Sequence, residues 1–193
     1  MKMTHEKRVA LAAGGTGGHL FPAQALAEVL SGRGYDIRLI TDERVRDYGK
    51  LFPASQTHIV PSASLSLSKP LQVPGNLMRL YSGVSKAKSS LRSEAPAAVV
   101  GFGGYPSLPP LWAATMLRIP TILHEQNAVL GRANKVLASR VNAIATSFEQ
   151  VFKLTPHAEK KVVFTGNPVR QTALQFASSP FPQMDDTLPL RLV

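Results

Sequence analysis

The 193-residue chain has no cysteine, so neither a disulfide scaffold nor a thiolate metal site is open to it. It has no run of about 18 or more uncharged apolar residues, and no membrane-spanning helix is expected. Lys2, Lys7 and Arg8 carry the charge of a secretory leader, but the apolar run behind them, Val9 to Ala13, is short and ends in glycines. No signal peptide is read there. No RNP-like aromatic pattern, zinc-finger spacing or evident helix-turn-helix is found, so nucleic acid is set aside as a partner. No metal-ligand cluster stands out either. Acidic residues are few: 12 Asp and Glu against 22 Lys and Arg give a formal charge of +10. Such a surface attracts phosphorylated ligands or anionic lipid head groups.

What is present is the composition of a globular chain, 44% hydrophobic and 18% charged, with length for one well-buried domain. Apolar runs alternate with helical stretches. Arg8–Ala13, Asp36–Thr41, Gln56–Val60, Ala97–Gly101, Thr121–Leu123, Ala143–Thr146 and Lys161–Thr165 read as strands. Phe21–Arg33, Gly75–Glu94, Leu108–Leu117 and Gly131–Ser139 read as helices. Strands that are apolar throughout and separated by helices predict a Rossmann-like α/β fold, a parallel sheet with helices on both faces. Residues 1–174 form that domain, the Pro- and Asp-containing stretch 175–189 reads as a linker, and Leu190–Val193 as the opening strand of a further domain.

Ligands of such sheets sit beyond the carboxyl ends of the strands. After the first strand comes Gly14-Gly15-Thr16-Gly17-Gly18-His19, a turn that lets backbone approach a ligand and then opens a helix whose free amides suit a diphosphate. The dinucleotide fingerprint fails here because its third glycine falls on Leu20, and the G-x-x-x-x-G-K-[ST] loop has no match. A second cluster, Gly101, Gly103, Gly104 and Tyr105, follows the fourth strand. His124, Glu125, Gln126 and Asn127 form a polar row after the fifth, and Gly166-Asn167-Pro168 with Arg170 follows the last. His19 is a general-base candidate and equally a structural histidine; Glu125 is a second base or the group that orients one.

Together AGGTGGHLFPA (13–23), VVGFGGYPSLPP (99–110), IPTILHEQNAVLGRANK (119–135) and FTGNPVR (164–170) resemble the MurG family, the UDP-N-acetylglucosamine transferases of peptidoglycan synthesis. The resemblance implies the N-terminal half of a GT-B fold, with a C-terminal donor domain as partner. It implies inverting transfer of N-acetylglucosamine from UDP-N-acetylglucosamine, a co-substrate, to the C4 hydroxyl of lipid I, with no tightly bound cofactor. Thr16, Gly17, Gly18, Asn127 and Arg170 match donor-binding positions. Gly15, His19, Gly103, Gly104, Tyr105, His124, Glu125, Gln126 and Asn127 match the acceptor wall. His19 leads for the base, with Glu125 second.

A family acceptor with a polyprenyl tail places the enzyme peripherally at the cytoplasmic face of the inner membrane. Leu77, Leu80, Tyr81, Val84 and Leu91 recur at helical spacing beside Arg79 and Lys86, and Trp112 and Lys69 extend the same expected membrane contact. The ordinary alternative is that the stripe packs on the sheet. Two other functions stay open: a non-catalytic module binding membrane or diphosphate lipid, and the acceptor subunit of a two-chain glycosyltransferase.

Overall fold

The computed structural model describes residues 7–45, 52–64, 70–177 and 179. Lys69 and residues 180–193, which include most of the expected linker and all of the expected strand stub, lie outside them. Seven strands form one parallel sheet: β1 (Arg8–Ala12), β2 (Asp36–Thr41), β3 (Gln56–Ile59), β4 (Ala98–Gly101), β5 (Thr121–Glu125), β6 (Ala143–Thr146) and β7 (Val162–Phe164). Their order is β3-β2-β1-β4-β5-β6-β7, so the direction of winding reverses between β1 and β4. Among the described residues five α-helices lie between the strands, α1 (Gly17–Gly32), α2 (Val73–Glu94), α3 (Gly104–Met116), α4 (Arg132–Leu137) and α5 (Pro156–Glu159), and α6 (Gln171–Leu174) follows β7.

Alternate residues of each strand feed opposite faces. Val9 and Leu11 of β1 join Leu39 and Val100 in a core closed by Leu20, Ala23 and Ala27 of α1. Ala10, Ile40 and Val99 face the other way, under Leu80 and Leu91 of α2 and Leu108 and Leu111 of α3. Both faces are covered at the central strands, which is why β1 and β4 read as apolar runs, while the edge strands β3 and β7 are partly exposed.

The structure corrects the expected boundaries in three places that matter. α1 begins at Gly17, not Phe21, which puts His19 in its first turn. Glycine lowers helix propensity, but Thr16 supplies an extended N-cap and the buried Leu20 and Ala23 anchor the turn. β5 runs two residues past Leu123 because its ladder with β6 continues through His124–Ala145 and Glu125–Thr146. α3 begins at Gly104 and contains Pro106, Pro109 and Pro110. These prolines normally argue against a helix, yet all three are buried, and packing decides. The short α5 and α6 were not expected.

At the amino end of the sheet, Arg8, Asp36, Arg38 and Glu94 close a buried charge cluster. Arg8 Nε donates to Asp36 at 3.0 Å, Arg38 Nη1 to Asp36 at 2.6 Å and Arg38 Nε to Glu94 at 2.7 Å. Ser55 bonds both Asp36 and Arg38, and His58 reaches Glu94 at 3.3 Å.

Candidate functional site

β1, β4 and β5 are the three central neighbours, and the loops at their carboxyl ends meet at the reversal point. The first loop is held close. A Cβ on Gly14 would stand 2.8 Å from Thr41 Oγ1 and 3.1 Å from Pro106 Cβ, so only glycine fits between the end of β2 and the start of α3. The turn after β4 needs two successive left-handed residues, Gly103 (φ +80°) and Gly104 (φ +69°), a conformation that costs other residues roughly 1–2 kcal/mol each. α1 and α3 therefore both open onto this rim, and neither Thr16 nor Gly103 caps its helix with a side chain. Their first amides and positive dipole ends are directed at this rim, an arrangement that favours negative charge.

A hydrogen-bonded chain crosses the rim. His19 Nδ1 lies 3.2 Å from Gln126 Oε1. Gln126 Nε2 donates to the Phe102 carbonyl at 2.9 Å and to His124 Nδ1 at 3.0 Å. His124 Nε2 completes it at 3.3 Å from the Gly166 carbonyl. Burial pushes the His124 ring below its ordinary value of 6.5, against the opposing pull of the Gly166 carbonyl and the Glu125 charge. His124 is neutral in this setting.

Glu125 is 1% exposed, and both its oxygens are occupied. Oε1 accepts from the Asn127 backbone and side-chain amides, each at 3.0 Å. Oε2 accepts from the Gly131 amide at 2.9 Å and Asn134 Nδ2 at 2.7 Å. The carboxylate clasps the β5–α4 loop and orients Asn127, whose own position is exposed.

Gly15, Thr16 and Gly17 line a hollow of about 240 Å³ with Phe21 and Arg44. Beside it lies a polar hollow of about 270 Å³ between Arg44, Ser62, Ser64, Arg79 and Tyr105. Arg44, bonded to Asp42 at 2.6 Å, borders both. Asn127 lines neither of these two. Arg170 is brought in from beyond β7, its guanidinium 3.9 Å from the centre of the Phe21 ring. The rim thus gathers Thr16 to His19, Gly103 to Tyr105 and His124 to Asn127, with Arg170 on the β7 side. Sequence reasoning missed Arg44, Phe102 and Asn134: Phe102 sits within the second glycine cluster but acts through its backbone carbonyl, and only the fold brings Arg44 and Asn134 beside the glycine loops.

The expected membrane stripe divides. Leu80 is 8% exposed and packs with Leu91 into the core, whereas Tyr81 is 78% exposed and Leu77 and Met78 stand outward with it. Leu77, Tyr81 and Val84 border an apolar groove of about 570 Å³ shared with Tyr105 and Trp112 of α3 and Arg132 of α4. Arg140 stacks 4.3 Å from the Trp112 ring centre. Arg79 and Lys86 are exposed on the same helix. Among the described residues no helix is long and apolar enough to cross a membrane.

The sequence pattern of the glycosyltransferase family 28 N-terminal domain matches residues 9–146. Among curated proteins, the UDP-N-acetylglucosamine--N-acetylmuramyl-(pentapeptide) pyrophosphoryl-undecaprenol N-acetylglucosamine transferase of Mesorhizobium japonicum is 48% identical over 185 residues, 96% of this chain and 49% of that protein. The protein of the same name from Agrobacterium fabrum is 50% identical over 176 residues, 90% of this chain and 45% of its own length. The chain spans about half the length of the curated relatives it matches. The crystal structure of Acinetobacter baumannii MurG superposes with a TM-score of 0.68 at 27% identity, over 86% of this chain and 47% of that one. The calicheamicin glycosyltransferase CalG4, at 14% identity and a TM-score of 0.55 over 85% of this chain and 53% of its own, shares the fold.

Proposed function

The chain belongs to glycosyltransferase family 28, and from that premise we propose that it is the acceptor-binding half of an inverting N-acetylglucosaminyltransferase. The donor is UDP-N-acetylglucosamine, and the acceptor is the C4 hydroxyl of undecaprenyl-diphosphate-linked N-acetylmuramyl pentapeptide. Residues 1–174 hold the acceptor, and a donor domain completes the enzyme. The observation that carries this reading is the meeting of two glycine turns, two uncapped helix starts and the His19–Gln126 bond on one rim at the reversal point of the sheet.

In this reading the α1 and α3 starts hold the acceptor diphosphate, with Gly15, Gly103, Gly104 and Tyr105 letting it approach the backbone. Thr16, Gly17, Gly18, Asn127 and Arg170 meet the donor. His19 takes the proton of the attacking hydroxyl as the new glycosidic bond forms and UDP leaves with the electron pair. Glu125, with both oxygens bonded inside the loop, positions Asn127 and leaves the base role to His19. The outward part of the α2 stripe, with Arg79, Lys86 and Trp112, rests on an anionic inner-leaflet surface, so that the enzyme is peripheral at the cytoplasmic face.

The test is reconstitution. This chain mixed with a separately expressed C-terminal half of the Mesorhizobium relative is expected to transfer N-acetylglucosamine to a lipid I analogue, and His19→Ala to lower that turnover at least a hundredfold. Full turnover in His19→Ala removes His19 from the chemistry. Vesicle binding without turnover in any combination points instead to a binding module.

A further inference from the structure

We propose that Gln126 is a positioning residue that fixes His19 in the Nδ1–H tautomer and so leaves Nε2 as the nitrogen able to take a proton. The inference rests on the reading of His19 as the base and names the group that prepares it.

The direction of the Gln126 amide is set by its neighbours. The Phe102 carbonyl can only accept, so the atom 2.9 Å from it must be the amide nitrogen. The second hydrogen of that nitrogen points to His124 Nδ1, 3.0 Å away. That leaves the amide oxygen, which can only accept, 3.2 Å from His19 Nδ1. Nδ1 must therefore carry the hydrogen, and a neutral imidazole has only one. In water the Nε2–H form of neutral histidine is the commoner, so the site selects the less favoured tautomer.

The far end of the chain holds the same direction. The Gly166 carbonyl accepts from His124 Nε2–H at 3.3 Å, so His124 Nδ1 is bare and can accept from Gln126. Two backbone carbonyls, from the end of β4 and the turn after β7, thus anchor a chain that ends in one unbonded nitrogen. Reversing the amide would set its oxygen against the Phe102 carbonyl and the bare Nδ1 of His124, three acceptors with no hydrogen between them.

The surroundings of His19 Nε2 agree. A Cβ on Gly104 would stand 3.2 Å from Nε2 and 3.1 Å from Cδ2, so a side chain there would cover the edge of the ring that this tautomer leaves bare. In the transfer step the hydroxyl proton moves to Nε2 while its oxygen bonds the anomeric carbon and UDP departs with the bonding pair. The positive charge that develops on the ring is met by the Gln126 oxygen at Nδ1–H. His19 then returns its proton to water.

Long-range ¹H–¹⁵N correlation spectra of the uniformly ¹⁵N-labelled chain read the tautomers directly. At a pH where both rings are neutral, His19 is expected as Nδ1–H and His124 as Nε2–H. In Gln126→Met, which keeps the side-chain length and removes both polar atoms, His19 is expected to move to Nε2–H. In the reconstituted enzyme the same variant is expected to lower kcat about tenfold to a hundredfold, with KM for the lipid acceptor changed less than threefold. Wild-type His19 found as Nε2–H overturns the inference with no variant needed, and so does an unchanged His19 tautomer in folded Gln126→Met. Neither result touches the base assignment, which stands or falls on turnover in His19→Ala.

Discussion

At the amino end of the sheet two guanidiniums meet two carboxylates; at the carboxyl end the Glu125 carboxylate and the His19 and His124 rings hydrogen-bond only neutral donors and acceptors. Both networks are largely buried, and both join segments far apart in sequence. The first closes on itself: Arg8 and Arg38 each reach both Asp36 and Glu94. The second has an open end at His19 Nε2. The described residues have four buried side-chain polar atoms without a partner: Thr41 Oγ1, Asp42 Oδ1, Asn134 Oδ1 and Thr146 Oγ1. All four lie at or beside the carboxyl rim, and none belongs to the charge cluster. Unmet polar atoms in a native fold ask for an explanation. Here the first network pairs its charges within the protein, while polar groups beside the second are not all paired by protein.

The sharpest way to break this contrast is to remove one member of each network. Glu125→Ala strands four donors at once and is expected to cost about 3–5 kcal/mol, read from urea unfolding. Arg38→Met leaves Arg8 as the one guanidinium bonded to Asp36 and Glu94 and is expected to cost about 3 kcal/mol. The two variants should differ in kind. In spectra of Arg38→Met, the His19 and His124 ring signals keep their wild-type tautomers; in Glu125→Ala, the loop carrying Gln126 loses its clasp and they do not. A disturbed rim in folded Arg38→Met would mean that the two networks are one.

Next in size is the dependence on pH, which separates the networks by window. His124 lies below its ordinary 6.5 because burial disfavours its charge. Its stabilising contribution is complete above about pH 6.5 and is lost as pH falls through the lower folded value. For Asp36 and Glu94, burial alone would raise the carboxyls. The Ser55 and Arg8 bonds to Asp36 and the Arg38 bond to Glu94, with the nearby positive charges, outweigh it and hold both below their ordinary 3.8 and 4.5. Their contribution is complete above roughly pH 4.5 and disappears as pH falls further. Urea midpoints measured from pH 8 to pH 3 should therefore fall in two stages. His124→Gln is expected to flatten the upper stage and Asp36→Asn the lower. A single stage affected by both substitutions would contradict the separation.

Gly104→Ala tests the open end with a smaller change. The left-handed backbone makes alanine cost roughly 1–2 kcal/mol, and the new methyl presses on the His19 ring. Turnover in the reconstituted enzyme is expected to fall more than this loss of stability accounts for, whereas Gly34→Ala, also left-handed but with open space around its Cβ, should lose stability alone.

How much of this was legible beforehand follows the same division. The strands and their parallel arrangement could be read because burial on both faces writes itself as continuous apolar residues, and Asp36–Thr41 and Ala143–Thr146 came out with their observed ends. The rim loops could be found because glycine turns are conspicuous in sequence. Roles within the rim could not. Glu125 looks like a base until its four donors are seen, and two of those, Gly131 and Asn134, come from a segment whose approach only the fold determines. Gln126 was one of four polar residues in a row, and nothing in the row says that its amide spans three loops. The helix starts failed for a related reason, since Gly17 and Pro106 argue against helices that tertiary packing nevertheless builds.

The smallest expected effect on stability lies outside both networks. Leu77 and Tyr81 are 52% and 78% exposed, so Leu77→Ser with Tyr81→Ser should change the unfolding free energy read from urea curves by no more than about 0.5 kcal/mol per site. Neither pH stage nor the ring tautomers should change, because no bond of either network passes through this part of α2. Partition onto vesicles of anionic lipid is a different matter. The two side chains border the apolar groove beside exposed Arg79 and Lys86, and replacing them removes apolar area that would enter the interface while leaving the charges in place. Partition is expected to fall several-fold, and residual binding to become steeper in salt because charge then supplies most of it. Unaltered partition would assign the exposed stripe no part in membrane contact and leave the basic surface to account for it alone.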